Sequence, residues 1–225
     1  MSGAPAPVVI LISGRGSNLQ AILTQVGTGH LPIDVRAVIS NNPDAEGLKI
    51  ARAAGVHSEV IDHRAFSDRT QFDTALQQAI DRHAPRLVLL AGFMRILGNA
   101  FIRHYASRLL NIHPSLLPAF KGLNTHARAL AASVQLHGAS VHFVSDDLDG
   151  GPSIIQAVVP VQPNDNAETL AARVLREEHR IYPIAIRWYL EERLSIRNGQ
   201  VLLDGERRAE QGMDIAIEDR KEANQ

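Results

Sequence analysis

Asn111 and His113 stand two residues apart in Leu110-Asn111-Ile112-His113-Pro114. If this segment is a strand, alternation puts both side chains on one side. Pro114 bars it from continuing as a central strand. Both side chains then sit near a strand's carboxyl end, where ligands bind in open α/β sheets. An asparagine amide donates hydrogen bonds and cannot titrate, which suits a developing oxyanion. A histidine changes charge near neutral pH, which suits proton transfer. The competing reading is a strand-end pair satisfied by the backbone. A second polar cluster, Asp146-Asp147-Leu148-Asp149-Gly150-Gly151-Pro152, follows an apolar run that ends at Val144. An acidic turn before Gly-Gly is often only a turn, and no EF-hand pattern of oxygen ligands follows it. If Asp149 reaches His113, its charge favours the imidazolium. Asn, His and Asp without Ser or Cys suggest transfer to an external nucleophile, with no covalent enzyme intermediate.

A third constellation is Ser13-Gly14-Arg15-Gly16-Ser17-Asn18-Leu19, after the first apolar run. Glycines let a backbone turn tightly and approach a ligand. Amides at a helix start make an anion site, to which Ser17 and Asn18 can add side-chain hydrogen bonds. A plain βα turn with an N-cap is the alternative. A dinucleotide fingerprint fits poorly. It needs a third small residue where Leu19 stands, and an acid where the second apolar run ends in Ser40-Asn41-Asn42. His113, His126 and His142 lack the short paired spacing of common zinc sites, so no metal is expected.

These residues need a frame. Seven short apolar runs, Val8–Ile12, Val35–Ser40, Val56–Ile61, Leu87–Ala91, Leu109–Ile112, Ser140–Val144 and Ile154–Val159, read as strands buried on both faces. Between them Ser17–Val26, Ala45–Ala54, Asp68–His83, Asn99–Ala106 and Thr125–Ser133 have helical spacing and caps, and Asn166–Glu192 reads as a long helix with Pro183 inside. The alternation predicts an α/β fold, a three-layer Rossmann-like sandwich with a largely parallel central sheet. Gly199–Leu203 reads as a last strand or hairpin. One domain is expected over residues 1–205, with 206–225 a charge-rich, loosely ordered tail.

Composition sets the outer limits. In 225 residues, 45% are apolar and 21% charged, which excludes a disordered chain. Net charge is -1, without the basic excess that gripping a long nucleic acid requires. There is no cysteine, hence no thiolate chemistry or disulfide. No apolar stretch has the length of a membrane span, and residues 1–7 lack a signal peptide's basic start. A soluble, cytoplasmic protein is expected.

The stretches ILISGRGSNLQAI, VISN, LAGFMRIL, LLNIHPSLLP, SVHFV, LDGGP and EEHRIYP resemble the phosphoribosylglycinamide formyltransferase family, folate-dependent enzymes of purine biosynthesis. The likeness covers Val8 to about Leu203, in the family's order. LLNIHPSLLP and LDGGP also occur in related formyl-handling enzymes, while SGxGSNL is the more discriminating mark. The resemblance implies 10-formyltetrahydrofolate as formyl donor, phosphoribosylglycinamide as acceptor, and a formyltransferase-type sandwich. It implies Asn111, His113 and Asp149 as the catalytic trio, and Gly16, Ser17 and Asn18 at the ribonucleotide's phosphate. Met94, Arg95, Ile96 and Leu97 would line the folate pocket together with Asn111, and Arg69 would meet the folate's glutamate tail. Glu178 would lie near the substrate amine, although Glu177 adjoins it. The loop from Phe120 to His126 resembles the family's mobile loop, with Asn124 departing from its usual residue types. Partners are then small molecules, with neither nucleic acid nor membrane, and the protein a monomer or homodimer. The alternatives are a formyltetrahydrofolate hydrolase, a methionyl-tRNA formyltransferase, an NAD-dependent oxidoreductase, or a folate or nucleotide binder without turnover. The first two usually carry a further domain, for which this chain shows no second core.

Overall fold

The computed structural model describes residues 4–207 and 211–214. The chain divides into two compact units. One is Met1–Asn111 with Val144–Asp146, and the other is Ile112–Phe143 with Asp147–Gln225.

In the first unit, β1 (Ala6–Ile12), α1 (Ser17–Gly27), β2 (Ile33–Ser40), α2 (Gly47–Ala53), β3 (Ser58–Val60), α3 (Arg69–Asp81), β4 (Leu87–Leu90), α4 (Asn99–His104) and the start of β5 (Leu109–His113) follow in chain order. Hydrogen-bonded neighbours run β3-β2-β1-β4-β5, and every pair is parallel. Each crossover is a helix, as parallel pairing requires. Val8 to Ile12 have no exposure at all, because both faces of the sheet are covered. Val9 and Leu11, with Ala37, Ile39, Val88 and Leu90, pack against Phe72, Leu76 and Ile80 of α3 and Phe101 of α4. On the opposite face Ile12 reaches α2, where a Cβ on Gly47 would come within 2.6 Å of its Cδ1. The three-layer arrangement that the alternation predicts is present. Asp68 caps α3 by accepting the Gln71 N–H, one of the orphan donors of a helix start.

The second unit holds the end of β5, α5 (Thr125–Ala131), β6 (Leu136–Phe143), β7 (Ser153–Pro160), α6 (Ala167–Leu190), a hairpin of β8 (Leu194–Arg197) and β9 (Gln200–Leu203), and β10 (Gly212–Asp214). β6 and β7 pair antiparallel and β10 pairs parallel with β7. The antiparallel step has a simple cause: residues 144–152 are too few for a crossover helix. α6 packs on β6 and β7, with Leu170, Val174, Ile181, Tyr182 and Ile186 buried at helical spacing. It runs through Pro183 without a break, and Asn166 and Thr169 form a capping box at its start. Asn198 and Gly199, both at positive φ, make the hairpin turn.

All seven expected strands and six helices exist. Several strands differ in extent, among them β3, which keeps only Ser58–Val60 of the expected Val56–Ile61. β6 begins four residues before Ser140, and the tail expected to be loose contributes β10. Arg208–Glu210 and 215–225 lie outside the described residues. No helix among the described residues is long and apolar enough to cross a membrane.

Candidate active site

The first unit contributes a glycine loop. Gly16 takes φ +79, the left-handed region, and precedes α1, whose start has no side-chain cap. A helix start without a side-chain cap leaves backbone donors for an anion. Gly16 and Asn18 are buried, Ser17 is half-buried and Arg15 is exposed. Gly47 N–H donates to the Gly14 carbonyl at 3.0 Å, which fixes the loop against α2.

The second stretch is Gly92–Gly98, at the carboxyl end of β4. Met94 and Ile96 are 66% and 59% exposed, an unusual state for large apolar side chains side by side. Arg95 between them is exposed as well. Leu97 is instead sunk in the core beside Phe93, so the four residues expected to line one pocket do not share one face. Arg69, the first residue of α3, is exposed. Sequence reasoning missed the polar groups beneath. Ser13 Oγ donates to Asn41 Oδ1 and accepts the Met94 N–H at 2.7 Å. Asp73, 8% exposed, accepts the Gly98 N–H at 2.7 Å. Burial pushes the Asp73 carboxyl up, against the opposing pull of the Gly98 bond and the Arg69 and Arg95 charges.

The second unit holds the histidine cluster. Strand β5 delivers His113, 6% exposed, two residues after half-buried Asn111. Its Nδ1 lies 3.4 Å from Asp149 Oδ2, and its Nε2 donates to the Phe120 carbonyl at 3.0 Å. Both ring nitrogens thus face acceptors, which a doubly protonated ring satisfies. Asp149 sits in a left-handed turn at φ +47. Its Oδ2 accepts the Gly122 N–H at 2.8 Å, and its Oδ1 lies 3.8 Å from His142 Nε2. A Cβ on Gly150 would fall 2.7 Å from Asp147 Cβ, so any larger residue there shifts the turn. The segment after His113 is pinned by groups the sequence did not single out. Ser140 Oγ donates to the Ser115 carbonyl at 2.6 Å and accepts from Leu117 N–H, and Gln156 Nε2 donates to the Leu117 carbonyl at 2.9 Å. The Leu117–Pro118 bond is cis. On α6, Glu178 is buried at 7%, while Glu177 pairs with Arg180 at 2.7 Å. Of the two adjacent acids, Glu178 is the inward one.

His142, His126 and His137 all have pKa values lowered chiefly by burial. His137 Nε2 and His126 Nδ1 share a hydrogen bond at 3.2 Å. His137, 1% exposed, is pushed from its ordinary 6.5 down to about 4. Between those values the unfolded chain binds a proton that the folded chain refuses, so stability rises with pH there. The full stability exists above about pH 6.5 and is lost as pH falls toward 4. Replacing His137 by glutamine is expected to flatten this slope, by up to about 3 kcal/mol between pH 7.5 and 4. Urea unfolding at both pH values measures it, and an unchanged slope in the variant refutes the assignment.

One group among the described residues could bring metal-ligating atoms together: His57, Glu59 and His83, within 4.8 Å of one another. It belongs to the first unit, and its carboxylate is already forked by Arg82 at 2.7 and 2.9 Å.

A family model described as formyl transferase matches residues 6–186. The phosphoribosylglycinamide formyltransferase of Escherichia coli (strain K12) is 51% identical over 91% of this chain and 97% of its own length. A phosphoribosylglycinamide formyltransferase structure from Coxiella burnetii, in complex with CHES, is 52% identical. It superposes with a TM-score of 0.87 over 93% of this chain and 99% of that one. A formyltetrahydrofolate deformylase structure from Pseudomonas putida KT2440 is 30% identical, with a TM-score of 0.79 over 88% of this chain and 70% of that one. The chain belongs to the formyl transferase family, on its phosphoribosylglycinamide formyltransferase branch.

Proposed function

We propose that this protein transfers the formyl group of 10-formyltetrahydrofolate to the amine of phosphoribosylglycinamide, a step of purine biosynthesis. The products are formylglycinamide ribonucleotide and tetrahydrofolate. The observation that carries the reading is the buried His113–Asp149 pair, its histidine delivered by the strand that also carries Asn111, in a chain of this family.

The neutral amine attacks the formyl carbon, and the carbonyl becomes a tetrahedral oxyanion. The Asn111 amide and protonated His113 donate hydrogen bonds to it, the preorganised stabilisation that acyl transfer relies on. Asp149, 3.4 Å from Nδ1, orients the imidazole. Gly122 N–H holds that carboxylate on the same oxygen. One proton leaves the attacking amine and one reaches the departing folate nitrogen, through His113 or an ordered water. Collapse of the intermediate then breaks the bond between the formyl carbon and that nitrogen. His113 Nε2, which faces the Phe120 carbonyl, is the nitrogen that turns to the oxyanion.

Gly16, Ser17 and Asn18 bind the ribonucleotide phosphate, and Glu178 lies near its amine. Arg69, Met94, Arg95, Ile96, Leu97 and Asn111 bind the folate. Leu97 supports that loop from the core side. The catalytic domain extends to about residue 205, and the protein acts in the cytoplasm as a monomer or homodimer, on small molecules alone.

The test follows tetrahydrofolate release from 10-formyltetrahydrofolate, with and without phosphoribosylglycinamide. Release that depends on the ribonucleotide is expected. Release without it would mark a formyltetrahydrofolate hydrolase instead.

A further inference from the structure

The loop from Met94 to Leu97 carries two exposed apolar side chains and an exposed arginine, yet it has no regular structure of its own. Both its ends are held by side chains from elsewhere in the first unit. At the front, Ser13 Oγ accepts the Met94 N–H at 2.7 Å. At the back, Asp73 Oδ2 accepts the Gly98 N–H at 2.7 Å. Gly98 is also the N-cap residue of α4, and a Cβ on it would lie 2.8 Å from the same carboxylate oxygen. The approach is therefore as close as a glycine allows.

Asp73 is costly to keep. It occupies a core-facing position of α3, at helical spacing from Leu76 and Ile80. Its other oxygen, Oδ1, is buried without a hydrogen-bond partner. A buried polar atom left unpaired disfavours the fold, and an apolar residue would pack there at less cost. Two arginines act on it electrostatically: Arg69, four residues earlier on α3, and Arg95 in the held loop. Those are the two cations assigned to the folate.

We infer that Asp73 is a positioning residue of the folate site, which pegs the Met94–Gly98 loop to α3 and so sets the spacing of Arg95 and Arg69, with Ser13 as the opposite peg. The inference rests on the folate assignment of that loop. Asp73 touches no substrate in this scheme. It acts chiefly through the Gly98 amide, with its charge beside the two arginines the smaller contribution. Removing it leaves the Gly98 N–H without its acceptor and frees one end of the loop. The apolar pair and Arg95 then sample positions that the folate must reorder on binding, which costs affinity in the ground state and transition state alike. Such a uniform loss raises KM and leaves kcat nearly unchanged.

The experiment compares Asp73→Ala, Asp73→Asn, Ser13→Ala, Arg95→Ala and Arg69→Ala in steady-state kinetics, with a thermal midpoint for each. A hydrogen bond to a charged acceptor predicts a rise of about tenfold or more in the 10-formyltetrahydrofolate KM for Asp73→Ala. The ribonucleotide KM and kcat should stay within about twofold. Asp73→Asn keeps an acceptor at the same place and should recover most of the loss in KM. If the alanine variant fails to fold, Ser13→Ala tests the opposite peg: it should raise the folate KM alone, and an unchanged value overturns the inference. A merely structural aspartate would lower the thermal midpoint and move all three parameters together, and that result overturns the inference. So does an unchanged folate KM in folded Asp73→Ala while Arg95→Ala raises it, or a folate KM in Asp73→Asn as high as in Asp73→Ala. If the arginine variants are silent but Asp73→Ala raises the folate KM alone, the peg stands and the arginine assignments fall. If none of the five moves the folate KM, both the peg and the folate assignment of the loop are wrong.

Discussion

Alanine at Asn111 or at His113 is expected to lower kcat by about 100- to 1,000-fold each, the usual loss for one oxyanion donor. Both variants should still fold. Asn111 is half-buried on β5, and its truncation leaves a small gap. His113 is buried, but Asp149 does not depend on it alone, because Gly122 N–H remains as a partner at 2.8 Å. The carboxylate thus keeps a hydrogen bond after the imidazole is gone. The losses should fall mainly on kcat, since the charge that both groups address exists only in the transition state. The double variant should cost less than the product of the two, because groups that act on one oxyanion are not additive. Measured kcat together with circular dichroism and a thermal midpoint separates catalysis from folding. Near-normal turnover in either folded single variant would remove these residues from the mechanism.

What made this pair legible in the chain was spacing alone. Asn-x-His before a proline places two functional groups on one side of a strand end, and β5 ends at His113 as that pattern predicts. The partnership with Asp149 was not legible from spacing. It depends on how the Asp146–Pro152 turn folds back, so the sequence could pose it only as a condition, and the family resemblance turned that condition into an expectation. The same holds for Glu178 against Glu177. Periodicity puts both on a helix, and only the packing of α6 turns one inward.

The strands were legible where the sheet is covered on both faces, because continuous Val, Ile and Leu runs carry the signal. They were hidden where polar or small residues take part. β6 starts with Leu136-His137-Gly138-Ala139, and Gly138 interrupts any apolar pattern. Its glycine answers a packing need, since a Cβ there would lie 1.9 Å from the Ala157 carbonyl oxygen on β7. β10 has no strand composition at all, with Gly212 and Asp214 flanking Met213. The edge of β7 forms it by pairing with Gln156, Ala157 and Val158. Strand direction was not written in the strands either. The antiparallel β6–β7 step follows from the short link between them. Among the site's supports, Asp73 did leave a trace, a charged residue in register with Leu76 and Ile80 on the apolar side of α3. Ser13 and Ser140 left none, because a serine at a strand end or within a strand has too many ordinary explanations.

Gly16 gives the second large effect, and its neighbours supply the controls. Alanine at Gly16 is expected to raise the phosphoribosylglycinamide KM by about 10- to 100-fold, and valine by more, with folate KM little changed. Two independent costs combine. The backbone sits at φ +79, which costs an ordinary residue about 1–2 kcal/mol. The added Cβ would also fall 2.6 Å from the Gly47 Cα and 3.3 Å from both the Gly47 nitrogen and Ile50 Cδ1. Ile50 can rotate away, but the α2 backbone cannot. Either the loop moves or α2 does, and the two are tied, since Gly47 N–H donates to the Gly14 carbonyl. Any movement shifts the first amides of α1, which are the proposed phosphate donors. Gly14→Ala is the first control. Its Cβ would meet nothing within 4 Å, so the ribonucleotide KM should stay within about twofold. Gly29→Ala is the second, at φ +73 in open space after α1. It carries the same backbone strain without the clash and away from the loop, so it should lower stability and leave both KM values alone. If Gly16→Ala folds and raises only the folate KM, the two substrate assignments are exchanged. If it folds and changes neither, phosphate is not held at the start of α1.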